Sequence, residues 1–177
     1  MNLPEIVLNR YKLLQNFRQT VWKDLSDSNF NQKWFIKRPS EHQWSIDELL
    51  RHMIASEVRY IQQSMDESIE QHPKGVPAQW VGNIFFRLEE KEHVNFEVLK
   101  EMFLEVEKES IEILEKLSED DFEKIVKAPW GQELPYYDLL EVFFAHEHNH
   151  RGQVKFLITF YRGPPEFEQK DENVKYG

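Results

Sequence analysis

Residues 45–65 read SIDELLRHMIASEVRYIQQSM, with apolar side chains at Ile46, Leu49, Leu50, Met53, Ile54, Val58, Ile61 and Met65. That spacing gathers them on one face of a helix turning about 100° per residue, whereas a half-buried strand would alternate by two. Ser45 and Glu48 have the spacing of a capping box, in which each side chain satisfies a backbone amide at the helix start. The helix is predicted to end near Gln71, because His72-Pro73-Lys74-Gly75 and then Pro77 break the pattern.

The same periodicity occurs three more times. Val7, Tyr11, Leu14, Phe17, Val21 and Leu25 predict helix one, and Leu99, Met102, Val106, Ile113 and Leu117 predict helix three. Glu101, Glu105, Lys108 and Glu112 then fall on a solvated outer face of helix three. Leu139, Phe143, Val154, Leu157 and Tyr161 predict helix four, with Pro135 in its first turn and Gly163-Pro164-Pro165 ending it. Before it, KIVKAPWGQELP (124–135) carries β-branched residues, Pro129 and Gly131, and predicts a short extended excursion or turn. Four amphipathic helices with a long crossover between the second and third predict an all-α four-helix bundle. The bundle domain is expected over residues 1–165, followed by a polar tail at 166–177.

Composition narrows the partners. The chain has 177 residues, 40% of them hydrophobic and 14% aromatic, enough for one well-packed core. Its 22 basic and 32 acidic residues give a net charge of −10, which repels nucleic acid. No run approaches the roughly 18 apolar residues of a membrane span, and the first residues do not resemble a secretory leader, so no membrane partner and a cytoplasmic location are expected. There is no cysteine, so a metal site must use His, Asp or Glu.

HEHNHRGQ, residues 146–153, holds three histidines in five positions. Continuing the stripe from Leu139 and Phe143 lands on His146 and His150, so both face the core one turn apart, while His148 points about 160° away to solvent. Two imidazoles at that spacing can converge on one ion with bonds near 2.0–2.1 Å, whereas buried without an ion each needs its own hydrogen-bond partner. A third ligand must come from another helix, and His52, three residues beyond Leu49 on helix two, is the candidate. His42, His72 and His93 fall in predicted loops or helix ends. His146-Glu147-His148-Asn149-His150 also matches the H-E-x-x-H pattern of zinc hydrolases, but Glu147, about 100° from His146, reads as an exposed carboxylate. A di-iron carboxylate bundle would use Glu90 with His93 and Glu147 with His150, yet helix one offers no carboxylate between Glu5 and Asp24.

QWSIDELLRHM (43–53) and HEHNHRGQV (146–154) resemble the DinB-like family of metal-binding four-helix-bundle proteins, with their thiol-transferase relatives, over most of the chain. The resemblance implies a divalent metal held by His52, His146 and His150. Gly152, just after them, fits a close approach of another helix or simple tolerance. Zinc is the default ion, and nickel and iron accept the same imidazoles. The function implied is metal-activated thiol transfer or hydrolysis on a small molecule, with a low-molecular-weight thiol as a candidate partner. The alternative is a non-catalytic metal- or ligand-binding bundle. Trp44 and Trp130 are candidate aromatics beside an open metal position. A homodimer is expected, with Leu13 and Trp22 of helix one as its contact.

Overall fold

The Asn2 side chain accepts a hydrogen bond from the Glu5 amide at 3.0 Å, and α1 (Leu3–Leu25) starts behind this cap. The computed structural model describes residues 2–65, 76–82 and 93–163. Val7, Tyr11, Leu14, Val21 and Leu25 are buried as the stripe requires. Phe17 is only half-buried, and its neighbour Arg18 enters the core in its place. Trp22 is also buried, against Phe96 and Phe103, which removes it from the expected dimer contact.

α2 (Ile46–Glu57) begins at the expected capping box. The Glu48 amide donates to Ser45 Oγ at 3.2 Å, and the Ser45 amide donates to Glu48 Oε2 at 2.7 Å. Every residue of this helix is buried, polar ones included, so α2 is covered on all sides rather than amphipathic. The helical path continues as a π-helical segment (Val58–Gln62) and a last turn, α3 (Gln63–Met65). The Gln63 amide reaches five residues back to the Val58 carbonyl, a widening that periodicity alone does not forecast. The predicted end near Gln71, with His72 and Glu90, lies outside the described residues.

Within the crossover lies α4 (Ala78–Gly82), which buries Trp80 and Val81. α5 (Phe96–Leu114) buries Phe96, Leu99, Phe103, Val106 and Leu114, together with Glu107 and Ser110. Met102, Ile113 and Leu117 are partly buried, so the helix is rotated slightly from the predicted stripe. α6 (Glu119–Glu123) leads into a hairpin of β1 (Ile125–Lys127) and β2 (Glu133–Pro135), antiparallel with Val126 opposite Leu134. Gly131 turns the hairpin at φ 90°, a conformation that glycine adopts without strain. α7 (Tyr136–Arg162) follows directly and ends at Gly163, with φ 78°. Pro135 caps it rather than entering its first turn.

α1 and α2 each pack against both α5 and α7, so the four long elements form one bundle around a shared core. Among the described residues no helix is long and apolar enough to cross a membrane. The boundary expected at residue 165 and the polar tail lie outside the described residues.

Candidate metal centre

Two helices supply the centre. His52 comes from the second half of α2, and His146 and His150 come from consecutive turns of α7, which packs against it. One ring nitrogen from each of the three lies within 4.8 Å of the other two. His52 Nε2 and His146 Nε2 are 2.9 Å apart. Four tetrahedral ligands at about 2.0–2.1 Å from an ion stand roughly 3.3 Å from one another, so nitrogens this close together need only small shifts to share one cation.

The surroundings favour neutral, lone-pair-bearing imidazoles. Burial, helped by the nearby His150, lowers the pKa of His146 to about 3, and burial also lowers that of His150. Both rings are therefore uncharged near pH 7. His150 Nδ1 lies 2.8 Å from Gln153 Oε1, which can only accept; the proton is then on Nδ1, and Nε2 is left as the ligand atom. His146 Nδ1 is buried without a hydrogen-bond partner among the described residues. Three imidazoles with ring nitrogens turned toward one another, those of His146 and His150 kept neutral by burial, suit a divalent ion and give no reason for clustering without one.

Aromatic rings frame the cluster. The Trp44 ring, held just before the Ser45 cap, meets His52 edge-on at 4.9 Å between centroids and lies parallel to His150 at 6.3 Å. Tyr60, in the π-helical segment, stacks on His146 at 5.8 Å, and Trp130 from the hairpin turn reaches Tyr60 at 6.2 Å. Beside His150 opens a cleft of about 320 Å³, walled by Trp44, Leu49, Phe156 and Leu157.

The other described histidines are elsewhere. His148 is exposed and meets the edge of Phe17. His93 pairs with Asp47, and His42 is exposed at the rim of the cleft.

Glu147 overturns the reading of an exposed carboxylate. It is fully buried, and Arg18 Nε and Nη2 both donate to its Oε2, at 3.1 and 2.5 Å. Because α7 packs against α1 as well as α2, a side chain about 100° from His146 points into the next helix interface instead of water. Burial raises its pKa to about 7 despite the guanidinium. Its engagement with Arg18 leaves the H-E-x-x-H arrangement without a free general base. At Gly152 the reading of simple tolerance is the one that fits: among the described residues a Cβ there would meet nothing within 4 Å, so no described helix approaches it closely.

Sequence reasoning missed Gln153, Tyr60 and Arg18. Gln153 had a signal, since a residue three beyond His150 shares its helix face.

The model of the DinB superfamily matches residues 14–154. Among solved structures, the chain is similar to a DinB-like protein, YjoA, from Bacillus subtilis, with a TM-score of 0.61 and 15% identity over 90% of this chain and 93% of that one. At that identity the likeness concerns the fold. No curated protein matches the chain.

Proposed function

The chain belongs to the DinB superfamily, and from that premise we propose that it is a metal-dependent enzyme acting on a small molecule by thiol transfer or hydrolysis. The observation that carries this reading is the convergence of three imidazole nitrogens, from His52, His146 and His150, beside a cleft large enough for a substrate. A divalent ion held there, zinc in the first instance, supplies Lewis acidity that makes a water or thiol nucleophilic near neutral pH. The chain's own part is to hold the His146 and His150 rings neutral, to fix His150 through Gln153, and to limit water with Trp44 and Tyr60. In thiol transfer, sulfur forms a bond to the electrophilic carbon, the leaving group departs with its electron pair, and the thiol proton passes to solvent. In hydrolysis, a water oxygen takes the place of sulfur.

Metal analysis of untagged protein tests the ligand set. About one ion per chain is expected, with a loss of at least tenfold in affinity for His52→Ala, His146→Ala or His150→Ala and none for His148→Ala. Cobalt-loaded protein titrated with a small thiol tests the chemistry: a saturable sulfur-to-metal absorption band with turnover of a haloarene supports thiol transfer. Full cobalt occupancy with neither signal and no hydrolysis of ester or amide probes leaves a non-catalytic metal-binding bundle.

A further inference from the structure

We propose that the cleft beside His150 is a binding subsite for a flat, uncharged aromatic molecule. Within the proposed function this is the molecule attacked, and to that extent the inference rests on that reading; the binding itself needs no ion.

Three observations support the assignment. First, the walls are one indole, one phenyl ring and two leucines, from Trp44, Phe156, Leu49 and Leu157. Leu49 and Leu157 close the base at 3% and 5% exposure, while Phe156 stands 62% exposed at the mouth. An apolar floor with a freely accessible ring at the entrance rewards a ligand that displaces water from both. Second, the cleft measures about 320 Å³, near the lower end of small-molecule sites. That space accepts a fused aromatic ring system with small substituents. Third, the described residues lining it include no lysine, arginine, aspartate or glutamate. Its polar side chains are the amides of Gln43 and Gln153 and the imidazoles of His42 and His150, which can orient a neutral hydrogen-bonding substituent. An anion is further disfavoured by the net charge of −10, and a cation finds no carboxylate in the walls.

The orientation follows from the same residues. The Trp44 indole is parallel to the His150 ring within 1°, so a planar ligand lying against the indole is presented parallel to that imidazole as well. Gln153, whose Oε1 accepts from His150 Nδ1, keeps its amide NH2 as a donor that can meet a carbonyl, nitro or ether oxygen on the ligand's edge.

The test is equilibrium binding of three isosteric probes, 2-naphthalenemethanol, 2-naphthoate and 2-naphthalenemethylammonium, to the full chain, both metal-loaded and after chelation. The alcohol should bind at least tenfold more tightly than either ion in the chelated protein, where no carboxylate can reach a metal. Trp44→Ala should weaken the alcohol at least tenfold, and Phe156→Ala severalfold. Since Phe156 is largely exposed, its replacement leaves the core untouched, and Phe156→Arg should raise naphthoate affinity at least tenfold over the parent. Equal binding of the three probes, or alcohol binding that ignores both Trp44→Ala and Phe156→Ala, would overturn the subsite. Selective alcohol binding in a protein that takes up no metal would uphold it while removing the metal-centre reading. Metal uptake without alcohol binding would do the reverse.

Discussion

Arg18 Nη1 and Glu107 Oε1 meet at 3.0 Å, with both side chains at most 3% exposed. Around the same guanidinium stand Glu57, 2.6 Å from Nη2, and Glu147. Tyr11 donates its hydroxyl to Glu57, and Gln15 Nε2 approaches Glu107 Oε2 at 3.5 Å. Three carboxylates share one cation, so burial outweighs attraction for Glu107 and raises its pKa above the ordinary 4.5. The sign follows from proton counts: between 4.5 and the raised value the folded chain holds a proton that the unfolded chain has released. Folding therefore loses stability as pH rises through that interval. Glu107→Gln keeps an acceptor for Arg18 and removes the titration. Relative to the parent in the same metal state, the variant should gain stability in urea unfolding as pH rises above about 4.5, through the interval in which folded Glu107 still holds its proton. A difference that is flat with pH, or that runs the other way, would refute this account.

At the scale of elements, the bland positions are as informative as the polar ones. Gly152 sits inside α7 with open space where a side chain would be. Gly152→Ala should therefore stabilise the protein by roughly 0.5–1 kcal/mol, through helix propensity and a less disordered unfolded chain, and calorimetry will show whether the melting temperature rises. The long helices and the capping box were legible because spacing and cap chemistry are local. So was the histidine pair, since an i, i+4 spacing fixes direction without knowledge of the partner helix. Arg18 was not legible: it follows Phe17 on the stripe, and a charged residue reads as helix edge until the carboxylates that neutralise it are placed by three other helices. The same holds for Glu147, whose direction could be computed but whose neighbour could not. The π-helical segment left no trace in periodicity because the apolar residues Val58 and Ile61 remain buried through it.

For the whole molecule, the homodimer is still a proposal, now with a smaller contact. Trp22 is in the core, and Leu13, 51% exposed, remains available on α1. Sedimentation across micromolar concentrations should give twice the chain mass of 21.5 kDa, and a constant single-chain mass would end the idea. The Arg18 cluster has a further consequence at this scale. Its members come one apiece from the four long helices: Arg18 from α1, Glu57 from α2, Glu107 from α5 and Glu147 from α7. An assembly missing α1 would hold three buried acids with no cation, and breaking such a network from one side costs about 3–5 kcal/mol. Partly folded forms are thus penalised, and the bundle gains cooperativity from a group that adds little net attraction. Native-state hydrogen exchange should find the buried amides of α1 opening with the same free energy as those of α7, in one event; an α1 that opens earlier would show that three helices can stand without their cation.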